Sequence, residues 1–202
     1  MENLHQRALT AGLIVLMAFT AQSRASARES QDPERVSVLV RVDNIANVPA
    51  DIVRVAEGRA ADVFGGIAVR LEWIDGQTAN RDMVIAPYTV VLVSGGVVPG
   101  KAAKKGVVDT VVGEAAAATH RAYVFYDRIV ALGVISRPDV ASTLGDVIAH
   151  ELGHLMLPVN SHSPSGIMRP GLDLRPGWVG TFDERQARLI RGVIAARVIA
   201  AR

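Results

Sequence analysis

The chain has 202 residues, half of them hydrophobic and 21% charged, which fits one globular domain with a packed core and excludes a disordered or fibrous protein. Its 22 basic and 20 acidic residues nearly balance, and no basic run is interleaved with aromatics, so no nucleic-acid partner is expected. Cysteine is absent, which excludes disulfides, thiolate metal ligands and a cysteine nucleophile.

Residues 1–27 read as a removable secretory leader. Arg7 gives a basic start, residues 8–21 form an apolar run, and Ala25-Ser26-Ala27 supplies small residues of the A-x-A type. The run is well short of the roughly 20 apolar residues that span a bilayer, so cleavage after Ala27 is expected and a membrane anchor is not. No later stretch is long and apolar enough to span. The expected location is therefore periplasmic or extracellular, with residues 28–202 as a single domain, and a monomer is expected. Without the leader, 20 basic and 19 acidic residues remain.

Residues 36–42 (VSVLVRV) alternate and are β-branched, which predicts a strand. Residues 51–64 carry Ile52, Val55, Ala56, Ala60 and Val63 at a helical period, and Gly65-Gly66 ends that helix. Residues 67–74 alternate again as a second strand. Residues 88–93 (YTVVLV) are nearly all apolar, as a buried central strand requires. Residues 107–112 predict a short strand that Asp109 and Thr110 suit to a sheet edge, residues 113–120 a loop, and residues 122–126 a further strand. A helix is expected from Asp139 to about Leu155, closed by Pro158, and a last helix from Thr181 to the C-terminus. Thr181 and Glu184 have the spacing of a capping box. The order implies an α+β fold, a single mixed sheet with helices packed on it.

The chemistry lies in the sequence DVIAHELGHLML. His150 and His154 are four residues apart on a predicted helix, hence one turn apart on one face. Two imidazoles so placed can direct nitrogens at one zinc ion about 2.0–2.1 Å away. Leu144, Ile148, Leu152 and Leu155 form a separate stripe that anchors the helix and leaves the histidine face to a cleft. Glu151 lies between the two faces, beside a ligand but angled away from the metal, where a general base for the attacking water must sit. Catalytic zinc needs a third protein ligand and an open fourth position. His162, eight residues past His154 and beyond Pro158, is the leading candidate. Glu184, on the following helix, is the rival, although its position in the capping box favours an ordinary structural role.

The stretch from His150 to Met168 resembles the metzincin clan of zinc peptidases, and within it the matrixin-like branch. That pattern is HExxHxxGxxH followed by a turn containing methionine; here His162-Ser163 and Ile167-Met168 resemble its last histidine and its Met-turn. The sequence departs from the pattern at Leu157, where the family has glycine, and at Asn160, where the third ligand would fall, so His162 requires a loop two residues longer. The resemblance implies a zincin/metzincin-like fold with a single mixed five-stranded sheet, an active-site helix and a C-terminal helix. It implies zinc bound by His150, His154 and His162, Glu151 as the base, Met168 beneath the site, and a polypeptide substrate paired with the edge strand expected at 107–112. The loop 169–178 would border the specificity pocket.

The expected function is that of a secreted zinc metalloendopeptidase. Two alternatives stand beside it: a zinc-binding scaffold without hydrolytic activity, and a zinc amidase acting on cell-wall peptides. His120 reads as a loop histidine, and Tyr123 and Tyr126 as sheet residues. Asp109 and Glu114 do not complete a calcium loop.

Overall fold

A computed structural model describes residues 36–76, 87–94, 111–136, 140–171, 178 and 180–200. The expected leader, Asp109 and most of the loop at 169–178 lie outside these residues. Strand β1 (Val36–Asn44) leads into helix α1 (Ala50–Gly65), which returns the chain to β2 (Val69–Asp75), parallel to β1 with Val36 opposite Val69. Strand β3 (Tyr88–Val93) pairs with the other side of β1, also parallel, with Val40 opposite Tyr88. Strand β5 (Arg121–Phe125) lies parallel to β3, and β4 (Gly113–Ala116) runs antiparallel to β5 at the edge. The sheet is single, mixed and five-stranded, in the order β2-β1-β3-β5-β4.

Alternation divides the sheet into two faces. Val38, Val40, Val42, Val90, Leu92 and Val124 enter the main core, whereas Val91, Val93 and Phe125 form a smaller cluster on the opposite side. Arg128 covers that cluster with its guanidinium 4.2 Å from the centre of the Phe125 ring. The main core is closed by helix α3 (Val140–Met156), which packs on α1 and reaches β3, β4 and β5. The predicted stripe accounts for that position: Leu144, Ile148, Leu152 and Leu155 are all buried. Each contributes roughly 1.5–3 kcal/mol by leaving water. The two helices approach closely because Gly145 has no side chain; a Cβ there would lie 2.5 Å from Cβ of Arg59 and 2.6 Å from the Ala56 carbonyl.

Helix α4 (Glu184–Ala200) buries Ala187, Ile190 and Ile194 against the same core. Among the described residues, no helix is long and apolar enough to cross a membrane.

Four sequence expectations are corrected. The edge strand occupies 113–116, in place of the loop expected there, while Val111 and Val112 precede it. A helix, α2 (Tyr126–Ser136), follows β5 directly and takes Tyr126 out of the sheet. The C-terminal helix starts at Glu184 and not at Thr181, because the Thr181 carbonyl accepts a hydrogen bond from the Ile167 amide at 2.9 Å. The capping box is formed by Asp183 and Gln186 instead: Gln186 N donates to Asp183 Oδ1 at 2.8 Å and Asp183 N donates to Gln186 Oε1 at 3.0 Å.

Candidate metal centre

Helix α3 presents His150 and His154 on its cleft side, one turn apart, and the loop after Pro158 brings His162 to meet them. The three rings offer one nitrogen each within 4.8 Å of one another. Nε2 of His154 lies 3.0 Å from Nε2 of His150 and 3.1 Å from Nε2 of His162. A tetrahedral zinc with bonds of 2.0–2.1 Å separates its ligand nitrogens by about 3.3 Å, so the donor set fits that ion. It is the one group of this kind among the described residues.

The Nδ1 nitrogens of His150 and His154 are committed to the protein, which orients those two rings. His150 Nδ1 donates to the Ile167 carbonyl at 2.7 Å, which leaves Nε2 as a bare lone pair on the neutral ring. His154 Nδ1 lies 3.1 Å from Ser161 Oγ, and a ring that keeps its Nε2 for a metal donates there. Burial favours the neutral rings. It lowers the pKa of His150 against the opposing pull of the Ile167 carbonyl, and it lowers that of His154 to about 4, with the neighbouring histidines adding to the effect.

The loop between His154 and His162 differs from the metzincin pattern for a visible reason. Leu157 does not turn the chain. Its amide still donates to the Gly153 carbonyl at 2.9 Å and its side chain is buried. The reversal comes at Asn160, in the left-handed region with φ 63°, where asparagine replaces glycine at low cost. Ser163 N then donates to the Met168 carbonyl at 2.9 Å, and Met168 is fully buried. Its sulfur lies against the active helix, where a Cβ on Gly153 would come within 2.6 Å of it.

Glu151 is 6% exposed and faces the edge strand. Gly113 of β4 lies so near that a Cβ there would sit 2.6 Å from Glu151 Oε1. Burial, and then the charge of Glu114, pushes the Glu151 carboxyl up to about 8. A dication held by the histidines acts in the opposite direction.

These groups lie along a cleft of about 810 Å³, lined by residues of β4 and by Ile167, Arg169, Pro170 and Trp178. Leu132 and Val147 add apolar wall. Asp146 also reaches the cleft, held from behind by Arg59, whose Nε donates to Oδ1 at 2.8 Å and whose Nη2 also bonds the Trp178 carbonyl. Burial raises the Asp146 carboxyl, and the hydrogen bond and charge of Arg59 oppose that rise.

The rival ligand, Glu184, is 87% exposed and pairs with Arg188 on its own helix, so it reaches neither the histidines nor a cap. His120 sits in the turn before β5. The residues that sequence reasoning missed are Gly113, Ser161, Arg59, Asp146 and Gln186. Only Gln186 left a trace, as the last member of a D-x-x-Q pattern ahead of an apolar helix.

No family model matches the chain, and no curated protein sequence matches it. Solved structures do. The fold is similar to that of a zinc-dependent peptidase from Methanocorpusculum labreanum, with a TM-score of 0.52 and 16% identity over 76% of this chain and 99% of that one. Archaemetzincin from Methanopyrus kandleri aligns with a TM-score of 0.49 and 15% identity over 82% of this chain and 99% of that one. The fold is thus the α+β fold with a single mixed five-stranded sheet expected from the sequence, shared with a structure described as a zinc-dependent peptidase, and it carries a three-histidine group able to bind zinc.

Proposed function

We propose that the protein is an exported zinc-dependent endopeptidase in which His150, His154 and His162 hold the metal and Glu151 is the general base. One observation carries this reading: three imidazole nitrogens converge on one point beside a buried carboxylate, in a cleft bordered by a sheet edge. The shared fold with a protein described as a zinc-dependent peptidase agrees with it.

Zinc, when bound there, supplies the Lewis acidity that polarises a carbonyl and brings the pKa of water from 15.7 toward about 7. Glu151 accepts the proton of the attacking water and passes it to the leaving amine. Burial beside Gly113 confines the carboxylate to one position. Met168 serves as the floor of the site, the part the methionine plays in the metzincin pattern.

The sheet edge supplies substrate capture. Phe125 N donates to the Val112 carbonyl at 2.9 Å, so the antiparallel ladder places Val112 opposite Phe125 as a bonded pair. Alternation then turns the backbone N–H and C=O groups of Gly113 and Ala115 away from β5, toward the cleft. An extended peptide pairs with those groups and lies beside Glu151. The apolar wall of Leu132, Val147 and Trp178 receives one of its side chains.

Glu151→Gln tests the assignment. The variant is expected to keep its zinc and to lose about 10²–10⁴-fold in casein or peptide hydrolysis. Activity near the parent level would remove Glu151 from the mechanism.

A further inference from the structure

Helix α4 sends one buried polar side chain toward the metal centre. Gln186 is 6% exposed, and its amide nitrogen donates to the Ser161 carbonyl at 3.1 Å and to Ser163 Oγ at 3.3 Å. These two acceptors flank His162. Ser161 also places its hydroxyl at His154 Nδ1, and Ser163 donates its own proton to the Ser165 carbonyl at 2.8 Å. The Gln186 amide oxygen is occupied as well, accepting from Asp183 N. Both hydrogens and the oxygen of the amide are therefore used, and the side chain has one orientation that satisfies them all.

The loop needs such a hold. Lacking the glycine turn of the metzincin pattern, it leaves α3 over Pro158 and reverses at Asn160. Val159 is 90% exposed, and His162 is itself exposed. Within the stretch from 159 to 162, the Ser161 carbonyl gains its one described bond to a distant element from Gln186.

We infer that Gln186 is a positioning residue for the metal site, clamping the loop on both sides of His162 and, through Ser161, steadying His154. This rests on the proposed zinc site. It assigns to the C-terminal helix a part in metal affinity that is separate from its part in the core.

The two halves of the Gln186 amide allow the clamp to be separated from the cap. Replacing the amide by a carboxylate keeps the acceptor that caps the helix at Asp183 while presenting a second acceptor, in place of the donor, to Ser161 and Ser163. The experiment is therefore Gln186→Glu in the full chain, with zinc affinity measured by competition against a chromophoric chelator and the fold of the metal-free protein followed by circular dichroism. A 10–100-fold loss of zinc affinity with unchanged helix content is expected, the range for lost partners of metal-ligating residues. Ser163→Ala removes one of the two clamp bonds and is expected to weaken zinc several-fold. It also decides the matter if Gln186→Glu fails to fold. Parent-like zinc affinity in a folded Gln186→Glu variant, or in Ser163→Ala should the former not fold, would overturn the inference. A parent protein that takes up no zinc would instead overturn the zinc site on which it rests.

Discussion

Each histidine of the α3 pair is held by a backbone or hydroxyl group that fixes which nitrogen faces the cleft. For His154 this has a consequence for stability. Its pKa falls from 6.5 to about 4 on folding, mainly through burial. Between those values the unfolded chain binds more protons than the native one, so stability present above pH 6.5 is lost as pH falls toward 4. Urea unfolding of the metal-free protein is expected to show that loss, and His154→Gln is expected to lessen it. Equal slopes in parent and variant would contradict the assigned environment. Glycine is as constrained at Gly113 as the two histidines are, since any side chain there meets the Glu151 carboxylate. Gly113→Val is expected to lower kcat by about 10²-fold, the scale of an ångström's misplacement, with zinc content unchanged. Peptide hydrolysis and metal analysis on one sample check this.

Elements with strong periodicity are legible in the sequence alone. The alternating run at 36–42 and the stripe of α3 each carry a period that one element type satisfies, and the short β-branched apolar run at 88–93 suits a buried strand by its length and composition. Two elements are not legible, for opposite reasons. Strand β4 is GEAA, with no β-branched residue, and it is a strand because β5 offers it a partner. Helix α2 begins with the tyrosine that ends an apparent strand, so nothing in the local pattern marks the change. The same limit applies to the site. His150, Glu151 and His154 follow from spacing, and His162 from its place just beyond the helix, whereas Gln186 touches the loop only because α4 packs where it does. At this scale the close crossing of α1 and α3 is also testable. Gly145→Ala places a Cβ against Arg59 and the Ala56 carbonyl, and it is expected to destabilise the protein by about 1–3 kcal/mol, despite alanine's better helix propensity. A Tm at or above that of the parent would contradict so tight a contact.

Distant parts of the chain meet at the cleft. Arg59 of α1 joins Asp146 of α3 to the carbonyl of Trp178, so a single guanidinium ties the two core helices to the cleft wall. The side chains of Arg59 and Asp146 are 17% and 11% exposed. Arg59→Ala leaves the carboxylate buried without its partner and is expected to cost about 3 kcal/mol in denaturant unfolding. At that cleft, His150, His154 and His162 are placed to hold one zinc ion by three imidazoles. X-ray absorption at the zinc edge, on protein loaded with one equivalent, tests it most directly. Three nitrogen ligands from imidazole at about 2.0–2.1 Å are expected, falling to two in His162→Ala. A well-folded protein that binds no zinc, or a ligand set unchanged by loss of His162, would contradict it.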